Sequence, residues 1–299
     1  MINPINTILV KMLPVFPRKF VRLFANKYIA GDKIEDAVKT VQSLNAKNIM
    51  ATIDVLGESI KNSDEARESM KESIEVIDTI VREKLDGNLS VKLTMLGLGM
   101  NNDLCRGLFC EILDFAKEKN VFVRIDMEDS GVTEETIRIY EEMRKDYNIG
   151  LVLQAYMRRT EKDVLRLTEE KANFRLCKGI YVEQEDVAFK GKQEIRDNYL
   201  KVLRLMFERG AYVGIATHDD YLTDGAYGIV KDMGLSNDKY EYQMLFGVRE
   251  GLRDKLVRQE HKMRIYVPFG KRWYEYSIRR FKENPNVAGH VLKSIFIKG

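Results

Sequence analysis

The ionisable and amide side chains of this chain recur at the ends of short β-rich runs. One run ends in Asp54 and leads to Glu58, and others carry Lys92, Arg124 with Asp126, Gln154, and Arg175 with Lys178. Thr217-His218-Asp219, Glu241 with Gln243, and Arg264 with Tyr266 complete the set. A buried charge is costly unless it is paired. Internal salt bridges would explain any one of these residues; so many together point to a ligand site. Near the C-terminal end, Tyr276 and Arg280 are four apart, as are Arg279 and Glu283, so the four share one broad helix face. Guanidinium groups suit a two-pronged grip on a carboxylate. An exposed arginine pair balanced by Glu283 is the other reading of that spacing. His218 could serve as a base or a metal ligand. The remaining histidines, His261 and His290, are not at ligand-like spacing from it, so no metal is expected. Cys177 reads as a small apolar side chain and not as a nucleophile.

Bringing these residues together requires a scaffold that gathers many strand ends on one face. Eight β-rich runs are predicted, at 48–56, 89–96, 121–127, 149–156, 173–179, 212–218, 240–247 and 263–268. Charged amphipathic stretches separate them. In one, Ile195, Tyr199, Val202, Leu203 and Met206 form an apolar stripe among Glu194, Arg196, Asp197, Lys201 and Arg204, and Gly210 is the expected terminator. Another helix is expected to start at Thr133–Thr136. Alternating strands and helices imply right-handed βαβ units and a parallel sheet. Eight units favour closure, so the expected fold is α/β, a distorted (β/α)8 TIM-type barrel with its site at the C-terminal strand ends. No linker divides the chain. A single domain over 1–299 is expected, with a helical N-terminal arm at 1–47, then the barrel and a C-terminal helix over its mouth at 48–299.

Length and composition agree with that size. The chain has 299 residues, 44% of them hydrophobic, with a formal net charge of only +3. Its basic runs are too short for a nucleic-acid surface. Three cysteines without CxxC spacing argue against a disulfide scaffold or a cysteine zinc site, and for a reducing cytoplasm. Residues 1–24 mix apolar positions with Lys11, Arg18, Lys19 and Arg22, too interrupted for a membrane span or a signal peptide. A packed helical flap is the expectation, a basic amphipathic surface segment the alternative. No GxGxxG opens a helix after a strand; Gly97-Leu98-Gly99 lacks the third glycine, which argues against NAD.

Six blocks in order resemble proline dehydrogenases. Asp54-Val55-Leu56-Gly57-Glu58 is similar to their DxLGE, and Arg124-Ile125-Asp126-Met127-Glu128 also matches. Residues 175–183, RLCKGIYVE, resemble RLVKGAYxE, and Ala216-Thr217-His218-Asp219 resembles ATHN/D. Residues 242–247, YQMLFG, resemble EFQMLYG. Residues 264–270 with Trp273, Tyr276, Arg279 and Arg280 resemble RVYVPYGxxWxxYxxRR. The resemblance runs from about residue 30 to the C-terminus. It implies non-covalent FAD, oxidation of L-proline to Δ1-pyrroline-5-carboxylate by hydride transfer, and a membrane quinone as acceptor. It implies Lys92, Asp126, Tyr266, Arg279 and Arg280 as the catalytic set, with Leu245 and Tyr276 joining Lys92, Tyr266 and the two arginines around substrate. A Glu58–Arg279 pair is implied as a gate. Asp126, Met127, Gln154, Arg175, Cys177, Lys178, Gly179, Ile180, Thr217, His218, Asp219 and Glu283 are implied on the cofactor side. A pyrroline-5-carboxylate dehydrogenase is implied as a partner, and the location as cytoplasmic, peripheral at the inner face of the cell membrane. The alternatives are a related enzyme acting on hydroxyproline, against which Tyr266 argues, and a flavin-binding protein without turnover.

Overall fold

A computed structural model describes residue 22, residues 25–57, 60–168 and 172–274, and residue 277. After α1 (Ile34–Asn45), eight strands alternate with helices: β1 (Met50–Val55), α2 (Ser63–Arg82), β2 (Gly87–Val91), α3 (Asn102–Lys119), β3 (Val123–Ile125) and α4 (Ser130–Met143). There follow β4 (Ile149–Gln154), α5 (Thr160–Leu167), β5 (Asn173–Cys177), α6 (Lys192–Glu208), β6 (Tyr212–Ala216), α7 (Asp220–Asp232), β7 (Tyr240–Leu245), α8 (Glu250–Arg258) and β8 (Met263–Phe269). All strands pair in parallel in chain order, and β1 closes on β8, Met50 opposite Arg264 through Val55 opposite Phe269. This is the expected closed (β/α)8 barrel.

Strand alternation explains how such polar strands close a barrel. Ile53, Leu89, Val123, Ile125, Leu151, Leu153, Phe174, Leu176, Val213, Ile215, Ile265 and Val267 are buried against the helices, in one continuous apolar shell. The residues between them point inward, and apart from Val152 and Gly214 they are polar. Side-chain bonds between strands that are not neighbours reveal this, because they must cross the interior. Arg175 of β5 reaches Thr52 of β1 at 3.3 Å and Asp126 after β3 at 2.9 Å. Below them, Gln243 donates to Glu241 at 2.6 Å, Arg264 donates to the same carboxylate at 2.6 Å, and Tyr212 donates to it at 2.8 Å. Charged and amide groups thus form a column along the barrel axis, each satisfied by the next. Arg124, fully buried, donates to the carbonyls of Leu151 and Asn173 and to the Asn173 side chain. Burial, then the charges of Arg175 and Arg264, pull its pKa down to about 9.

Three expectations need correction. The second strand ends at Val91, and Leu93–Leu96 winds into a 3-10 turn closed by Gly97 at φ 107°. A short apolar run fits a buried strand or a buried turn equally, and Glu128 decides here by accepting from the Thr94 amide and hydroxyl. The helix expected at Thr133 begins one turn earlier, because Asp129 caps it by accepting from Gly131. Most predicted strands also run past their ends: Gly179, His218 and Gly247 lie in the loops beyond β5, β6 and β7. The stripe from Ile195 to Met206 lies in α6, with Gly210 at φ 77° just beyond. The first 21 residues and the helix predicted after β8 lie outside the described residues, apart from a few positions around 273.

Candidate active site

The C-terminal ends of β1, β2, β3 and β8 converge on one cluster. Lys92, the first residue after β2, places its Nζ 2.6 Å from Asp54 Oδ1, 3.4 Å from Asp126 Oδ2 and 3.2 Å from the Tyr266 hydroxyl. Tyr266 donates to Asp126 Oδ2 at 2.7 Å; Ser90 and Arg175 donate to Oδ1 at 2.7 and 2.9 Å. Arg175 is steadied from the other side by Gln243 at 2.5 Å, and its guanidinium lies over the Tyr266 ring, 5.2 Å from the centroid. The charges cancel: Lys92 and Arg175 against Asp54 and Asp126.

The environment sets each group's protonation. Burial would depress the Lys92 ammonium, but Asp54, Tyr266 and Asp126 outweigh it and hold its pKa well above the ordinary lysine value. Burial pushes Asp126 up, yet Lys92, Arg175 and the Ser90 and Tyr266 hydroxyls hold it below the usual carboxylate range. Asp54 goes the other way: its burial, with the charge of Asp126, outweighs Lys92 and raises it. Asp54 Oδ2 is also buried with no hydrogen-bond partner. Burial, then Asp126 and Asp54, raise the Tyr266 phenol well above its ordinary value. The cluster therefore presents an ammonium, an anionic carboxylate and a neutral phenol to whatever enters the mouth.

A second group occupies the ends of β4, β5 and β6. Gln154 is buried and donates to the Glu128 carbonyl at 2.7 Å. Lys178 follows β5 and is 3.3 Å from Asp219, which Arg196 also holds through two bonds at 2.7 and 3.0 Å. Two cations share one carboxylate, leaving one positive charge at the rim. Asp219 also accepts from the Tyr221 amide, so both its oxygens are engaged within the protein. Gly179, at φ 109°, lies so close to Tyr156 that a Cβ would come within 2.0 Å of its ring. Ile180 is exposed at this charged rim. Thr217 accepts from the Asp219 amide, and His218 Nε2 accepts from the Leu245 amide at 2.9 Å. Cys177 has its thiol pushed up to about 11 by burial, and Met127 lies in the apolar shell.

The structure thus brings Lys92, Asp126 and Tyr266 into direct contact and sets Arg175 beside them. Leu245 ends β7, half-buried. Gln154, Lys178, Gly179, Ile180, Thr217, His218 and Asp219 border the adjoining stretch of the mouth. Glu58, Tyr276, Arg279, Arg280 and Glu283 lie outside the described residues. Among the described residues no cluster of histidine, cysteine or carboxylate side chains could hold a metal. Asp54 and Gln243, legible in the sequence as polar strand-end residues but without an assigned role, and Ser90 and Thr52, not named there, complete the cluster. The signal that finds them is the inward parity of their strands, shared with Lys92, Asp126 and Tyr266. A larger concavity, about 600 Å3, lies at the opposite barrel face beside Asp86, Arg124, Glu241 and Arg264. There Glu241 and Arg264 are already spent on each other and Arg124 on carbonyl and amide oxygens, as suits the stability face of such a barrel.

An aromatic cofactor with an anionic tail fits the second group. The spare positive charge at Lys178 and Arg196 suits a diphosphate. Gln154, Arg175 and Thr217 offer polar groups along the wall, and the exposed Ile180 offers apolar cover.

The proline dehydrogenase family model matches residues 37–293. Proline dehydrogenase 2 of Bacillus subtilis is 38% identical over 275 residues, covering 92% of this chain and 91% of that protein. Proline dehydrogenase of Deinococcus radiodurans is 31% identical over 281 residues, covering 92% and 90%. In fold, the chain is similar to proline utilization A from Bdellovibrio bacteriovorus, with a TM-score of 0.84 at 24% identity over 90% of this chain. It spans 33% of that larger chain. With a mouth built from the strand ends that carry the matching blocks, and relatives matched along almost their full length, the chain belongs to the proline dehydrogenase family.

Proposed function

We propose that this protein oxidises L-proline to Δ1-pyrroline-5-carboxylate with FAD as its bound cofactor. The observation that carries the proposal is the Lys92–Asp126–Tyr266 cluster at the mouth, adjoining a stretch suited to an aromatic ring with a diphosphate tail. The chemistry the flavin supplies when bound is acceptance of a hydride from the carbon beside the proline nitrogen. Gln154, Arg175, Lys178, Thr217 and His218 would hold it. The chain's own residues orient substrate and govern charge. Asp126, held anionic, attracts the ring nitrogen while it is cationic. Tyr266 and Leu245 shape the ring pocket, and the bulk of Tyr266 favours proline over a hydroxylated ring. Arg279 and Arg280 grip the substrate carboxylate, and a Glu58–Arg279 pair closes the mouth against water.

Electrons then pass to a quinone, and the product to a pyrroline-5-carboxylate dehydrogenase. Among the described residues no helix is long and apolar enough to cross a membrane. The proposed location is the cytoplasm, with residues 1–24 giving weak, salt-sensitive contact with anionic lipid. Within a single domain, the proposed arm spans 1–47 and the barrel with its closing helix 48–299. The test is the visible spectrum of purified protein. The expected result is a yellow flavoprotein that bleaches anaerobically on addition of proline and yields free FAD on heat denaturation. A colourless protein that cannot be reconstituted with FAD refutes the proposal.

A further inference from the structure

Behind the cluster, between α2 and the strands β1 and β2, lies a cavity of about 20 Å3. A single water needs about 10–15 Å3. Asp54, Ser69, Glu72, Ser73, Ser90 and Lys92 supply its polar lining. Its hydrogen-bonding needs are specific. Asp54 Oδ2 is a buried acceptor with no donor. Ser73 and Ser69 cannot supply one, because their hydroxyls already donate to the Ser69 and Glu65 carbonyls at 2.8 and 3.0 Å. Their oxygens remain free to accept. A water donating to Asp54 Oδ2 and to Ser73 Oγ satisfies both. Glu72, on the same face of α2, carries the lining out to the exposed surface.

We propose that this cavity holds one water, and that Asp54, the water and Ser73 form the route by which the proton leaving the substrate amine reaches Glu72 and the solvent. The inference rests on the proline-oxidising reading above. Hydride loss beside the ring nitrogen requires that nitrogen's lone pair, so the ammonium N–H bond must break with its electron pair left on nitrogen. Lys92 is itself an ammonium and can take that proton only as it gives up one of its own. Asp54, 2.6 Å away, is the group placed to receive it. The Asp54 carboxyl then turns its O–H to the water, which accepts that proton and gives one of its own to Ser73 Oγ, as the Ser73 hydroxyl turns from the Ser69 carbonyl and releases its proton toward Glu72; no electrons move in this step. Burial raises Asp54, with Asp126 adding to it and Lys92 and Tyr266 opposing, so the carboxyl is closer to accepting a proton than an exposed aspartate. Burial also raises Glu72; Glu68 and Glu75 on its own helix add to this, and Arg272 and Lys271 after β8 oppose it. Asp54 and Ser73 act through Lys92 and are positioning residues.

The test is the rate of anaerobic flavin bleaching by proline in the holoenzyme, measured against pH. Ser73→Val fills the cavity and removes the accepting oxygen, while Ser73→Ala removes the oxygen but leaves room for the water and for a second one in place of the hydroxyl. At neutral pH, Ser73→Val is expected to slow bleaching roughly tenfold or more, the low end of what positioned proton transfer contributes. Glu72→Gln slows it in the same pH range, and Ser73→Ala slows it less than Ser73→Val does. At alkaline pH, where substrate arrives with its amine already deprotonated, the Ser73→Val and Glu72→Gln deficits disappear. A Ser73→Val rate equal to wild type at neutral pH, or a deficit of equal size at every pH, overturns the relay. Wild-type holoenzyme that proline does not bleach overturns the functional reading itself, and the relay with it.

Discussion

Replacing Asp126 by asparagine tests the cluster at its centre. Oδ1 accepts from Ser90 and Arg175, and an amide oxygen in that place keeps both bonds. Oδ2 accepts from Tyr266 at 2.7 Å and faces Lys92 Nζ at 3.4 Å. An amide NH2 there would point a donor at an ammonium and force the Tyr266 hydroxyl to turn. The local charge changes from zero (Lys92 and Arg175 against Asp54 and Asp126) to +1, which repels a cationic substrate amine. A hydrogen bond to a charged group contributes about 1.5–3 kcal/mol. With the added repulsion, the transition state should lose about 2–4 kcal/mol, or about 30- to 1,000-fold in kcat/KM. Part of this should appear as raised KM, since the amine is attracted before chemistry begins. The assay is steady-state proline oxidation with an artificial electron acceptor, with the flavin-to-protein ratio measured on the same samples. Asp129→Asn is the control, because asparagine caps a helix as well as aspartate does. An Asp126→Asn enzyme within a few-fold of wild type at full flavin loading would refute the assignment of Asp126 to the substrate nitrogen.

Other outcomes follow from single contacts. Gly179→Ala places a Cβ against the Tyr156 ring at a positive φ, which costs about 1–3 kcal/mol; thermal unfolding should fall and flavin should be lost more readily on dilution. His261, half-buried with Nε2 unpartnered, has its pKa lowered from 6.5 by burial. The unfolded chain therefore takes up the proton first, so stability is full above about pH 6.5 and falls as the pH drops through and below it. His261→Phe should flatten that slope in urea titrations. Arg279→Met and Arg280→Met should each lower kcat/KM for proline about ten- to more than a hundredfold, mostly through KM, with lysine rescuing only in part. Wild-type kcat/KM in both variants would move the carboxylate site elsewhere.

The barrel was legible because its strands are hydrophobic on one parity and bounded by amphipathic helices of ordinary length. The strand ends were not. Leu93–Leu96 has no periodicity to separate strand from turn, and the buried Glu128 that settles it is a tertiary contact. Lys92, Asp126 and Tyr266 stood out as polar strand-end residues, but their roles came only through the resemblance; nothing in their spacing places residues 174 apart at 3.2 Å. Asp54 and Gln243 were visible as polar strand residues. Their importance came only with the pairing register, which fixes which side chains share a level of the interior.

The polar column along the barrel axis constrains how this sequence can change. Arg175, Gln243, Glu241 and Arg264 are each satisfied by the next, so exchanging one for an apolar residue strands its neighbour. Losing one partner of such a buried pair costs about 3–5 kcal/mol, whereas replacing both can be neutral. Substitutions here should therefore be strongly non-additive, and double-mutant cycles between Glu241 and Arg264 should show large coupling. The interior can drift only by coordinated exchanges, while the apolar shell outside it can accept changes one at a time.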